Sequence, residues 1–324
     1  MKTNKLKLLL RIGLIVATAL SISSCLIGRY MCNYALLPQE HGNDLEGDRI
    51  KIEKRYPGLI GWYDALCESK QFKDSCIIGE GGYKLHTIYS DAACGRDNAK
   101  GTAIVIHGYT DNHLCFLNLV KMYRDDLGYN VLVPDLHYHG LSEGRAVQMG
   151  WLDRLDIMRW IDVAHNIWGD DFMVIHGVSM GAATTMMVSG EHLPEYVKAF
   201  VEDCGYSSVW DQYKHNLKQM FHLPPFPVLT SASIVCSRRY GWDFKEASCV
   251  NQLSRCDRPM LFIHGDADDF VPFEHLQKVY DAKTLGYKEM WVAKGSEHAM
   301  AYRDYPQEYT EKVKQFLNKV RDNE

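Results

Sequence analysis

No strongly basic run occurs anywhere in this 324-residue chain, and its formal net charge is -5. A nucleic-acid partner would need a positive footprint, so none is expected. The ten cysteines include no CxxC pair, which removes the usual spacing of a zinc site. Cys236, Cys249 and Cys256 lie close enough in sequence to pair, but spacing does not fix connectivity, and buried free thiols are the expectation. Internal repeats and low-complexity segments are missing too. What remains, at 46% hydrophobic and 24% charged residues, is the composition of an ordinary globular protein.

The first residues differ from the rest. Lys2, Lys5, Lys7 and Arg11 form a basic head, followed by an uncharged, mostly apolar run, Ile12 to Ile22, too short to span a bilayer comfortably. The pattern reads as an export signal. It ends in Ile22-Ser23-Ser24-Cys25, which resembles a bacterial lipobox, whose cysteine is diacylated and becomes the new N-terminus. The alternative is an uncleaved anchor from Leu8 to Ile27. Either expectation puts the chain in the bacterial cell envelope, membrane-anchored, with the main domain outside the cytoplasm and lipid as an N-terminal partner. Residues 1–29 are therefore assigned to this segment, 30–74 to a lead-in with a short helix over Leu59 to Leu66, and 75–324 to the main domain.

That domain opens with a hairpin, Ser75 to Ile78 and Lys84 to Tyr89, around a two-residue Gly81-Gly82 turn. Short β-branched runs then alternate with helical periods. Strands are expected at Thr102 to Ile106, Val131 to Val133, Met173 to Ile175, Ala199 to Val201, Met260 to Ile263 and Glu289 to Val292. Such alternation builds a mostly parallel sheet of about eight strands wrapped by helices. Residues 206–256 break the rhythm. This insertion carries Trp210, Phe221, Phe226, Trp242 and Phe244 and is expected to be a helical lid at the carboxyl ends of the strands, where ligands bind.

The sharpest motif is His176-Gly177-Val178-Ser179-Met180-Gly181, where a strand runs through Gly-x-Ser-x-Gly into helix-forming residues. A serine presented on such a turn is a nucleophile if a base and an acid follow it in chain order. Asp268 follows in His264-Gly-Asp266-Ala-Asp268-Asp269, and His298 in Gly295-Ser-Glu-His298-Ala. Asp203, Asp266 and Asp269 compete for the acid role, and His107, His176 and His264 are read as packing or loop-orienting residues. His137-x-His139 has chelating spacing but no third ligand beside it, so neither a metal nor any other cofactor is expected.

Together, Gly177 to Gly181, the His264 to Pro272 loop and His298-Ala resemble the α/β-hydrolase superfamily. Glu202-Asp-Cys-Gly-Tyr-Ser-Ser-Val-Trp and Gly150-Trp151 are similar to a bacterial branch related to serine aminopeptidases and monoacylglycerol lipases. The resemblance implies Asp268 as the acid and an oxyanion hole made by the backbone amides of Tyr109 and Met180. It implies a serine hydrolase working through an acyl-enzyme. A carboxylic ester is the first expectation for substrate, a short peptide the alternative, and a catalytically inactive membrane-tethered binding protein the third reading.

Overall fold

A computed structural model describes residues 2–323, with the side chains of 10–13 and 23–323. It opens with one long helix, α1 (Lys2–Leu36), then α2 (Leu45–Arg55) and α3 (Leu59–Glu68). The apolar run expected as a signal falls mostly on side chains outside the described residues. Among the described residues no helix is long and apolar enough to cross a membrane. Cys25 is exposed. Past it the helix changes character, and Cys32 and Leu36 are fully buried.

The polar stretch His41 to Asp48 contains a helix start that its composition hides. Asp44 caps α2 by accepting from the Gly47 amide at 3.0 Å. Acidic Glu46 and Asp48 lie in its first turn and basic Lys54 and Arg55 in its last, the arrangement that a helix dipole favours.

Strand β1 (Phe72–Ile78) pairs antiparallel with β2 (Lys84–Ser90). The connection corrects the two-residue turn: it spans residues 79–83. Gly79 accepts from Gly82 and donates to Tyr83, and Gly81 and Gly82 take left-handed φ values of 82° and 80°, which glycine adopts without a Cβ penalty. The succession is then β3 (Thr102–Ile106), α4 (Leu117–Lys121), β4 (Asn130–Pro134), α5 (Asp153–Trp168), β5 (Met173–Val178), α6 (Met180–Ser189) and β6 (Val197–Asp203). A helical insertion, α7 (Val209–Phe221), α8 (Pro225–Tyr240) and α9 (Cys249–Leu253), precedes β7 (Met260–Gly265), α10 (Glu274–Ala282), β8 (Lys288–Ala293), α11 (Ala301–Asp304) and α12 (Pro306–Asp322).

The eight strands form one sheet in the order β1-β2-β4-β3-β5-β6-β7-β8. β2 meets β4 antiparallel, and the pairs from β4 through β8 are parallel. This is the α/β-hydrolase arrangement. Every residue of β3, β4, β5 and β7 is buried, as strands covered on both faces must be. Ile104 and Ile106 face a core shared with α5, α6 and the insertion, while Ala103 and Val105 face one shared with α3, α4 and α12.

Within the insertion, α8 is the element that sequence periodicity leaves out. Pro224 stands at its N-cap and Pro225 at its first position, Phe226 departs from helical φ and ψ, and the regular helix runs on from Pro227; proline in a first helical turn starts a helix rather than ending one. All ten cysteines are free thiols. Cys249 donates to the Ala183 carbonyl and Cys256 to that of Arg258.

Candidate active site

Ser179 stands between β5 and α6 at φ 57° and ψ -116°, a conformation an L residue holds only when its surroundings impose it. Two glycines permit the turn. A Cβ on Gly177 would lie 2.0 Å from the Gly181 oxygen, and one on Gly181 would lie 2.1 Å from the Ile106 oxygen. The Ser179 amide donates to the Asp203 carbonyl at 2.8 Å, tying the elbow to the neighbouring strand. Its hydroxyl is thereby held at the carboxyl end of the sheet.

His298 arrives on the loop between β8 and α11. Its Nε2 lies 2.8 Å from Ser179 Oγ, and its Nδ1 lies 2.7 Å from Asp268 Oδ2. Asp268 follows β7 and is pinned on its other oxygen by the Phe270 and Val271 amides at 3.0 and 2.9 Å. Burial works against the charged form of this carboxyl, yet His264 and His298 and the Val271 amide outweigh it and hold its pKa at about 2. It is therefore an anion across the physiological range. His264, 3.3 Å from Asp268 Oδ2, also donates to the Val271 carbonyl at 2.9 Å, so it braces the loop that carries Asp268.

The competing residues go elsewhere. Asp203 accepts from the Tyr309 hydroxyl at 2.9 Å, and burial pushes its carboxyl up to about 6. Asp266 accepts from the Gly295 amide, and Asp269 is exposed, its carbonyl facing His215. His176 stands between the hydroxyls of Tyr123 and Tyr309 at 3.0 and 2.9 Å. His107 accepts from the Leu136 amide and faces the Gly108 carbonyl.

His137 and His139 do not converge on a common point. His139 accepts from the Thr110 amide and faces the His137 carbonyl, and His137 accepts from the Arg145 amide. The side chains gathered nearby are instead His86, His113 and Asp135. Asp135 accepts from both imidazoles and from the His113 and Leu141 amides. Although burial opposes it, the two histidines hold that carboxyl well below the usual range. With its lone pairs used by protein donors, it fixes the loop after β4 rather than offering ligands.

On the far side of Ser179, the amides of Met180 and Tyr109 donate to no acceptor among the described residues. Both residues line a cavity of about 540 Å³ that includes Ser179. Of the aromatic residues expected to shape such a pocket, Phe221 and Phe244 line it. The other three do not. Trp242 is core, donating to Gln148 at 2.9 Å, Phe226 is 75% exposed, and Trp210 borders a separate surface depression. Their places are taken by Val228, Leu229 and Ala232 of α8, and by Met31, Tyr34 and Ala35 of α1. The signal for the α1 contribution is in the sequence: Gly28, Met31, Cys32, Ala35 and Leu36 fall at helical spacing on one face.

The sequence profile of the prolyl oligopeptidase family matches residues 138–324. The uncharacterized protein YqkD of Bacillus subtilis is 30% identical over 223 residues, covering 68% of this chain and 72% of that one. Esterase YjfP of Escherichia coli is 25% identical over 198 residues, 58% of this chain and 76% of its own. Among solved structures, the esterase Pf2001 of Pyrococcus furiosus superposes with a TM-score of 0.59 at 24% identity, over 76% of this chain and 92% of that one.

Proposed function

The chain belongs to the prolyl oligopeptidase family of α/β-hydrolases, and from that premise we propose that it is a serine hydrolase of carboxylic esters, with Ser179, His298 and Asp268 as its triad. The observation that carries this reading is the unbroken relay from Ser179 Oγ to His298 to Asp268, at 2.8 and 2.7 Å. His298 Nε2 takes the hydroxyl proton as Ser179 Oγ attacks the carbonyl carbon. Asp268 keeps Nδ1 protonated and the ring oriented, and it stabilises the imidazolium that forms. The oxyanion is received by the Tyr109 and Met180 amides, aided by the amino end of α6. His298 then protonates the leaving alcohol, and water, activated by the same imidazole, releases the acyl group from Ser179.

Ester is preferred to peptide because, among the described residues, no Asp, Glu, Lys, Arg or His lines the cavity. A site for short peptides with free termini needs a charged side chain against the ammonium or the carboxylate. The family's peptidase members keep the amide reading as the rival. Purified full-length protein assayed on p-nitrophenyl esters and aminoacyl-arylamides is expected to turn over the esters faster by at least tenfold in kcat/KM. Faster amide turnover would reverse the assignment.

Localisation is part of the same proposal: Cys25 is taken as diacylated and the domain as held at the outer face of a bacterial membrane. The basic head, the apolar run and Ser23-Ser24-Cys25 support it. Labelled fatty acid is expected to enter the wild-type chain and not Cys25→Ala, and processing should stop under globomycin. Equal labelling of both would leave the uncleaved anchor.

A further inference from the structure

The last turns of α1 are built into the domain rather than merely leading to it. Gly28 lies against α8 so closely that a Cβ there would sit 2.6 Å from the Ser231 carbonyl carbon. One turn on, the buried side chains of Cys32 and Cys236 meet across the same contact, and Arg239 reaches Asn33. The helix end is held from the other side as well. Val147 donates to the Leu36 carbonyl at 2.9 Å, and the Tyr109 hydroxyl donates to the Ala35 carbonyl at 3.0 Å.

This docking gives the cavity beside Ser179 a wall made of α1, through Met31, Tyr34 and Ala35, facing Leu229 and Ala232 of α8. The volume of about 540 Å³ is of the size that encloses most of a small organic ligand. Its lining is uncharged and mainly aliphatic or aromatic, with Gln39, Gln212 and Asn216 as its amide side chains. Gln212 is itself turned to the Phe270 carbonyl and Asn216 at 2.7 and 3.0 Å. Such a space takes up an alkyl chain, which asks for buried area and no polar partner.

We propose that this cavity is an acyl-chain site closed by α1, so that the N-terminal helix sets the length of the acyl group and the substrates are esters of medium-length, unbranched fatty acids. The inference rests on the ester-hydrolase reading above. Each methylene taken into the site raises kcat/KM by about fourfold, up to the length at which the chain meets α1 and α8. Tyr109 couples the wall to the chemistry, because the residue whose amide faces the oxyanion also bonds the Ala35 carbonyl through its hydroxyl.

The test uses the full chain in detergent with p-nitrophenyl acetate, octanoate and palmitate. Wild type is expected to prefer octanoate to both of the others. Ala35→Trp and Ala232→Trp narrow the cavity from its two walls, and each is expected to lower the octanoate-to-acetate ratio of kcat/KM by at least tenfold. Ala35→Leu and Ala232→Leu should move the ratio the same way by less, which covers a tryptophan variant that does not fold. An unchanged ratio in both Ala35 variants, beside a lowered one in the Ala232 variants, removes α1 as the wall. A flat chain-length profile in the wild type overturns the acyl site. If the wild type binds a fluorophosphonate at Ser179 yet hydrolyses no ester, it is the ester reading that has failed.

Discussion

Replacing Ser179 by alanine is expected to lower ester turnover by about six orders of magnitude, the scale seen when the nucleophile of a triad enzyme is removed. The size follows from the geometry. Every covalent step of the proposed mechanism passes through one oxygen, the one at which His298 Nε2 is aimed at 2.8 Å. The fold should survive the change. Alanine inherits the same φ of 57° and loses one hydroxyl, whose partner in the relay is the half-buried His298. Turnover of p-nitrophenyl octanoate and covalent labelling by a fluorophosphonate are the measurements, beside a thermal melt. A variant that kept a tenth of the activity would show that another group attacks the substrate.

The second large effect is expected at Asp268. Exchange for asparagine should cost about four orders of magnitude in kcat, because an amide nitrogen facing His298 Nδ1 favours the wrong imidazole tautomer. The Phe270 and Val271 amides that hold Asp268 Oδ1 keep the new side chain in place, so the loss is one of chemistry more than position. Asp203→Asn is the control that discriminates. Asp203 bonds Tyr309 instead of His298, and its effect should stay within about tenfold, the scale of a hydrogen-bond perturbation. The opposite ranking would move the acid to β6. The pH profile carries a related expectation. With the Asp268 carboxyl held at about 2, it is ionised over the whole range in which the enzyme is assayed. It therefore contributes no acid limb between pH 4 and 9, and any limb seen there belongs to another group.

How much of this was legible in the sequence differs from one element to the next. The strands β3, β5 and β7 announce themselves because continuous burial demands continuous apolar residues. Ser179 and Asp268 each follow such a strand, and His298 follows β8, a partly buried one, so the parallel alternation brings their loops to the carboxyl ends of the strands. The turn at residues 79–83 was less legible, because a glycine pair fixes the sign of φ but not the number of residues spanned. Helix α8 is hidden by Pro224, Pro225 and Pro227 at its start, residues that sequence pattern associates with turns as readily as with a first helical turn. Of Trp210, Phe221, Phe226, Trp242 and Phe244 in the insertion, only Phe221 and Phe244 line the cavity. Trp242 and Phe226 show that an apolar side chain in a capping segment serves the core or the surface as readily as a cavity. The amphipathic face of α1 beyond Cys25 is the least legible feature, because the apolar run before it gives the whole segment the pattern of a targeting signal.

That face also bears on how the domain stands relative to a bilayer. A lipid anchor is usually pictured as a leash, recruiting a domain while leaving it free to tumble. Here Cys25 and Ala35 belong to one continuous helix, and at 1.5 Å per residue they are separated by about 15 Å along a rigid axis. With acyl groups on Cys25, the same rod that ends against Tyr109 would begin at the lipid surface. The domain would be mounted on a strut, its cavity kept at a fixed height above the membrane and its mouth at a fixed tilt, so that lengthening the helix by a turn would change reach and facing together.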